Sequence, residues 1–364
     1  MWVVITISIF ALFLTIAEST KILKKGMALG FGLVAILGAI HYDYGNDYMH
    51  YLEFYEEFVS LPFDLNSIIS GEYFQEPGWF LINYAFKYLG GFFMMVAVLN
   101  ILQNILIYKF IKKQVSRRWW PFAVFTYLFT TSYYLLSFSM MRQTLVIVIF
   151  LSLWSLISQR KWIKSFLILL VCSTIHSSAL VLIPFAFWGY LPVKNSKIIG
   201  IIYAGFLILL WFFGEVMNSI FMSLIDFESF EHYVENYGDS DFTMKLGVGF
   251  VIQLIPFILS VYFLLKKRSG YSDNQKRLVA LAAIHAIITP FGQIIPIVSR
   301  IGFYFGVYRI GSFPLIYENI SIKLFRVGLI ALNVLITLYD YFTFFTLETW
   351  VDKYSTFHTI FSVM

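Results

Sequence analysis

Cysteine occurs once in the 364 residues, as Cys172, so no disulfide can form within one chain. Charge is scarce too: Asp, Glu, Lys and Arg make up 13% of the sequence, where a soluble domain has about a quarter. No basic residue precedes the first apolar run, which opens Met1-Trp2-Val3-Val4, so a cleavable signal peptide is not expected. There is no P-loop, HExxH, GxSxG or Cys/His metal spacing, which removes the motif-borne ATPase, metalloprotease and serine-hydrolase classes. Neither an internal repeat nor a polar linker marks off a soluble domain. What is present is apolar: 59% hydrophobic residues, 40 phenylalanines and a mean hydropathy of +0.77. Runs of membrane-spanning length recur along the chain, which predicts an all-α polytopic integral membrane protein. The net charge of +5 does not point to nucleic acid, because the basic residues sit in short loops.

Those loops give the sidedness. Candidate spans are 2–17, 27–40, 92–111, 119–137, 141–158, 197–213, 246–266, 277–298, 301–320 and 326–345. Lys and Arg collect on the cytoplasmic side, and 20 of the 26 basic residues fall in six clusters. These begin at Lys21, Lys109, Arg160, Lys194, Lys266 and Lys323. By contrast, residues 41–78 and 214–244 together hold 15 of the 21 carboxylates and not one Lys or Arg. Both segments should therefore lie outside, within extracytoplasmic loops 41–91 and 214–245. Alternation of sides holds only if 162–190 crosses twice, as a short helical hairpin with its tip near His176 on the outer side. Residues 79–90 are too short to span and read as an amphipathic or re-entrant helix at the outer face. The expectation is a single transmembrane domain, residues 1–364, with about twelve crossings (11–13) and both termini extracytoplasmic.

Six basic residues break the pattern: Lys87, Arg142, Arg300, Arg309, Lys245 and Lys353. A charge at membrane depth, or at the outer end of a span, usually has a partner or a task. Arg142, Arg300 and the His176 tip point to one face, which they share with the tyrosine-rich acidic strip 41–58. Arg309 lies three turns into its helix or marks a break in it. Guanidinium groups suit a phosphate or diphosphate, which they grip bidentately, and a carboxylate or imidazole can take a proton from a hydroxyl. Bland readings compete. Arg142 could snorkel to headgroups, His176 could be a packing residue, and Tyr42, Tyr44, Tyr48, Tyr51 and Tyr55 could form an interfacial belt. Asp43 and Asp47 are better placed for chemistry than Glu53, Glu56 and Glu57, because the Gly45-Asn46 turn would hold them near the membrane plane. Asp43, Asp47 and Glu76 could hold a divalent metal, although nothing in their spacing demands one, and no metal or other cofactor is expected.

Five segments then form a familiar order. "YGNDYMHYLEFY" resembles a GTDY-x-x-Y segment and "EPGWFLINYAFK" an EPGY-x-LL segment. "MMRQTLVIVIFLSLW" is similar to MRQ-(A/G)-(I/L)-A, "KWIKSFLILLVCSTIHSSALVLIP" to a K-F…A-S-x-x-H-x-S-A segment, and "SRIGFYF" to R-x-x-x-Y-F. Together, over roughly residues 40–310, they resemble the EpsG-like family of Wzy-type polysaccharide polymerases. Departures are Asn46 where Thr is frequent, His41-Tyr42 where an arginine is common, and Cys172-Ser173 near an expected Ala-Ser. The resemblance implies a GT-C-like membrane glycosyltransferase in the bacterial cytoplasmic membrane, its active site facing the periplasm or exterior. Such an enzyme takes a glycan from undecaprenyl diphosphate and adds it to the non-reducing end of another lipid-linked repeat unit. It works within membrane lipid, alongside a chain-length regulator protein. On that reading Arg142 and Arg300 stabilise the leaving diphosphate, and Asp47 or His176 activates the acceptor hydroxyl, with Asp47 slightly favoured. Arg309, Tyr304, Tyr48, Tyr51, Asp43, Glu76 and Gln143 would bind diphosphate or sugar. An O-antigen-ligase-like enzyme would use the same donor. A lipid-linked oligosaccharide flippase would need polar residues through the whole membrane, whereas the anomalous charges cluster outside.

Overall fold

The computed structural model describes residues 1–193, 200–201, 205, 255, 258–262, 271–294 and 296–362. The predicted spans 197–213 and 246–266, and the second acidic loop, therefore lie outside or almost wholly outside the described residues. The chain forms two compact units, one of Met1–Gly189 with Phe313–Met364 and one of Tyr190–Ser312.

The first unit is helical apart from one two-residue strand pair. Its elements are α1 (Trp2–Ser19), α2 (Gly26–Ile40), β1 (His41–Tyr42), α3 (Tyr48–Ser60), α4 (Leu65–Ser70), α5 (Pro77–Phe86) and α6 (Gly91–Gln114). They continue with α7 (Trp120–Phe129), α8 (Met141–Ile157), α9 (Trp162–Ile175) and a 3-10 run, Ser177–Tyr190. In the second unit α10 (Asp273–Ile294) and α11 (Pro296–Gly306) pack together. The helix α12 (Arg309–Glu318) carries the chain back into the first unit, which ends with α13 (Lys323–Phe344), α14 (Glu348–Tyr354) and β2 (His358–Thr359).

Three described helices, α1, α6 and α13, are long and apolar enough to cross a membrane, and α2, α8 and α9 are shorter apolar helices. At 1.5 Å per residue α6 is about 36 Å long, enough for a hydrocarbon core of roughly 30 Å. Large apolar side chains on α13, such as Leu324, Leu335 and Tyr339, face outward, as expected where the neighbour is lipid and not water. This is the construction of a membrane-embedded all-α protein.

Two of the expected spans are not single helices. The run 119–137 is helical only as far as Phe129, after which Thr130-Thr131-Ser132 lead into turns and a short 3-10 segment, Leu136–Phe138. Hydroxyl side chains compete for backbone hydrogen bonds and favour such exits. The run 301–320 is interrupted at Val307-Tyr308, and Arg309 begins the next helix, so this arginine marks a break.

The core of the first unit is α6, packed against α2 and α8. Its buried face carries Asn100, Gln103 and Asn104. Gln103 Nε2 donates to the Tyr127 hydroxyl at 3.1 Å, which donates to Asn104 Oδ1 at 3.1 Å. A buried polar group without a partner costs about 1–3 kcal/mol, so this chain of bonds fixes how α6 and α7 face each other.

The two ends of the unit differ in charge. At one end the buried Glu18 carboxylate takes Lys112 at 2.9 Å and the Met27 amide at 2.8 Å, and Arg117 donates to the Glu18 carbonyl. At the other end β1 pairs antiparallel with β2, His41 opposite Thr359 and Tyr42 opposite His358. There the Met1 amine donates to the Ser355 carbonyl at 2.7 Å, and Asn46 Nδ2 to Thr349 at 2.8 Å. Both chain ends and the start of the acidic segment thus share one end of the unit.

Candidate functional site

The segment that leads from the acidic strip into the membrane helices is Gln75-Glu76-Pro77-Gly78. Proline is favoured in the first turn of a helix, where its missing N–H costs nothing, and Pro77 opens α5 with Glu76 at its N-terminus. A Cβ on Gly78 would collide with the side chain and carbonyl of Thr174. Only glycine lets the start of α5 lie directly on the end of α9.

That contact sets Glu76 opposite the place where α9 ends. Helix α9 stops at Ile175, and His176 is extended, with φ −150° and ψ 115°. Turning out of the helix exposes the His176 ring and the Ser177 amide to the incoming carboxylate. Glu76 Oε1 accepts from the Ser177 N–H at 2.7 Å and lies 3.0 Å from His176 Nδ1. Its other oxygen, Oε2, accepts from Arg142 Nη1 at 2.5 Å. Arg142 is the second residue of α8 and reaches this point because the chain leaves α7 early and re-enters a helix at Met141.

Aromatic rings wall the guanidinium. Arg142 Cζ lies 5.4 Å from the Phe74 ring centroid and 5.7 Å from that of Tyr51, within cation–π range. Tyr51 packs edge-on against the buried Trp79 at 5.6 Å. Burial raises the Tyr51 phenol above its ordinary range, against the downward pull of Arg142. Burial would also raise the Glu76 carboxyl, but the His176 hydrogen bond, the Arg142 and His176 charges and the Ser177 amide outweigh it. They bring its pKa down to about 2.

This arrangement has a clear chemical reading. Glu76 spends both oxygens on protein groups and holds an imidazole and a guanidinium at fixed positions. A carboxylate on Nδ1 fixes the histidine tautomer and leaves Nε2 as the basic atom, the logic of a carboxylate–histidine pair. The Nε of Arg142 is buried with no hydrogen-bond partner among the described residues.

The other candidates fall elsewhere. Asp47 lies at the N-terminus of α3, and its amide donates to Ser139 Oγ at 3.2 Å. Its charge adds to the upward shift of the Tyr51 phenol that burial causes. Gly45, at φ +117°, presses against the Phe138 carbonyl and the Ser139 amide, and this docks the 43–47 turn on the segment before Arg142. Asp43 is engaged outside the cluster: both carboxylate oxygens accept from Lys353 Nζ, at 2.8 and 2.9 Å. Tyr48 is fully buried against His41 and Phe92, and its hydroxyl donates to the His41 carbonyl at 3.2 Å, so it packs the core and offers no face to a sugar. Gln143 is buried in α8. Arg300, the buried Tyr304 and Arg309 belong to the other unit, where His285 Nδ1 lies 2.8 Å from the Gly302 carbonyl between α10 and α11.

Asp43, Asp47 and Glu76 do not gather. Among the described residues no three His, Cys, Asp or Glu side chains come together as metal ligands. Sequence reasoning placed Glu76 among substrate-binding groups and missed its part as the link between Arg142 and His176. The proline and glycine after it were the available signal, since they mark a helix start under close approach. Lys353 was noted only as an anomaly, and nothing in the sequence pairs it with Asp43.

The family model described as the EpsG family matches residues 26–357. No curated protein and no solved structure matches the chain.

Proposed function

This chain belongs to the EpsG family, and from that premise we propose that it is a polysaccharide polymerase whose reaction centre is the Glu76–His176–Arg142 cluster. Family membership carries the general role, a glycosyltransferase-type polymerase in a membrane. The finer reading is our own. The donor is a glycan on undecaprenyl diphosphate, the acceptor is the non-reducing end of another lipid-linked repeat unit, and the site faces outward. The outward placement is supported by the acidic strip beside the cluster and by the Lys112, Arg117 and Glu18 group at the opposite end of the same unit.

The observation that carries the mechanism is the single buried carboxylate joined to both an imidazole and a guanidinium. His176 Nε2 takes the proton from the acceptor hydroxyl as its oxygen attacks the anomeric carbon. The bond from that carbon to the diphosphate oxygen breaks, and the electron pair leaves with undecaprenyl diphosphate. Arg142 meets the developing negative charge. Preorganised donors of this kind are the largest catalytic contribution in many enzymes. The structural reading moves the base from Asp47 to His176, because His176 has an orienting carboxylate. Asp47 then contacts the acceptor sugar, and the buried Tyr51 walls the Arg142 guanidinium. Both oxygens of Glu76 are occupied, so it does not act as a nucleophile, and a single displacement inverts the anomeric configuration. A chain-length regulator would act with the enzyme from outside this cluster.

The test is complementation of a strain lacking the gene with wild type, Arg142→Ala and His176→Ala at equal membrane levels. The surface polysaccharide is then resolved as a ladder on a gel. Loss of the ladder with one repeat unit still attached is the expected result. Loss of every unit would indicate ligation or export, and an unchanged ladder would return these residues to packing.

A further inference from the structure

A second site lies at the other end of α6 and α8, about 20 Å along α8 from Arg142 at 1.5 Å per residue. There the two helices leave a cleft of about 220 Å³, lined by Lys109, Lys113, Gln114 and Ser155 together with the apolar Leu106 and Phe110. Lys109 and Lys113 are one helical turn apart, where like charges repel. No carboxylate lines the cleft. Among the described residues neither ammonium has an ion-pair partner, whereas Lys112 on the adjoining face is paired with Glu18. The Gln114 amide and the Ser155 hydroxyl are also donors without a partner there. Four hydrogen-bond donors, two of them charged, thus surround a small space that contains no anion of the protein's own.

The row of side chains on α6 that leads to this cleft identifies the anion. Ile101, Ile105, Lys109 and Lys113 follow one another at four-residue steps and so share one face of the helix. Ile101 and Ile105 are exposed, as are Val98 and Leu102 beside them. An exposed apolar stripe that ends in two lysines is the profile of a phospholipid lying along a helix, acyl chains on the isoleucines and phosphate at the lysines. A free phosphate would use the lysines alone, whereas a phospholipid uses the lysines and the apolar stripe together. Basic pockets between membrane helices bind anionic headgroups in this manner.

We infer that the α6–α8 cleft binds the phosphodiester of an anionic phospholipid in the leaflet opposite the Glu76 cluster. The site is independent of the polymerase reading, because it shares no residue with that cluster and its assay does not use activity.

The test is native mass spectrometry of the full-length protein from mild detergent, with phosphatidylglycerol or phosphatidylcholine added in turn. Wild type should retain phosphatidylglycerol and not phosphatidylcholine. The Lys109→Ala/Lys113→Ala pair should lower the lipid-bound fraction at least about fivefold, and the Lys109→Arg/Lys113→Arg pair should keep it. Lys323→Ala, a change elsewhere, should leave it as in wild type. Equal retention of both lipids, or undiminished retention by the alanine pair, would overturn the inference. Displacement of the lipid by excess inorganic phosphate would assign the cleft to a free anion and overturn the lipid as its ligand. If the alanine pair does not elute as a single monodisperse species, Lys109→Gln and Lys113→Gln carry the same test singly.

Discussion

Glu76 and His176 are separated by 100 positions in the sequence and by 3.0 Å in the structure, carboxylate Oε1 to imidazole Nδ1. The neighbouring Ser177 amide holds the same oxygen at 2.7 Å, so the carboxylate is fixed by the chain as well as by the ring. The pair joins the start of α5 to the end of α9 and gives His176 an orientation that a loop histidine would otherwise lack.

Glu76→Gln keeps the shape but removes the charge that fixes the imidazole tautomer. Polymer formation should fall by roughly 10²-fold or more, the scale of a lost acid–base contribution. Glu76→Ala should also cost about 3 kcal/mol of stability, because it strands Arg142 in a largely buried position. Comparing thermal unfolding of the two variants with their polysaccharide ladders separates these effects. A Gln variant with full activity would remove His176 as the base.

Acid should weaken this link in a defined window. The folded Glu76 pKa, about 2, lies below its ordinary 4.5. The stabilisation is therefore complete above pH 4.5 and is lost as pH falls from there through 2. Thermal unfolding of the purified protein should show this loss, and Glu76→Gln should flatten that part of the profile. Identical acid profiles for the two proteins would contradict the ion pair.

Gly78→Ala places a methyl group where Thr174 already sits. Helix α5 must then shift from α9, and the Glu76–His176 distance with it. Activity should drop severalfold or more, since an error of about 1 Å in a reacting group can cost 10² in rate. Gly32→Ala, where a Cβ meets nothing within 4 Å, is the control and should be silent. Ladder length in cells checks both.

Lys353→Ala releases Asp43 and loosens the C-terminal segment from the first loop. Both partners are partly exposed, so the stability cost should be only about 0.5–1 kcal/mol. Protease sensitivity near residues 41–47 should rise while polymerisation persists. The exchange Asp43→Lys/Lys353→Asp should restore protection. Failure of polymerisation in Lys353→Ala would instead give Asp43 or its loop a direct role.

Sidedness can be read with thiol labelling. In a Cys172→Ser background, cysteine at Ser60 should react with a membrane-impermeant reagent added to intact cells, and cysteine at Ser116 only after the membrane is opened. The reverse pattern would invert the topology and place the Glu76 cluster in the cytoplasm.

Composition alone determined that this is a helical membrane protein, because apolar runs with so few charges have no soluble alternative. Charge asymmetry likewise separated a basic end from an acidic one, and Arg142, Arg309 and His176 stood out because their surroundings make them costly. Tertiary structure decided how those residues are used. Asp43 and the strip's tyrosines look as available as Asp47 in the linear sequence, yet Asp43 is tied to Lys353 and Tyr44, Tyr48 and Tyr51 are packed in the core. The break after Phe129 brings Arg142 to Glu76, and the close approach at Gly78 brings Glu76 to His176. Hydropathy and charge are properties of single positions, summed along a segment, and can be read without a fold. The partner of a carboxylate depends on which distant backbone comes within 3 Å of it, and only helix packing decides that.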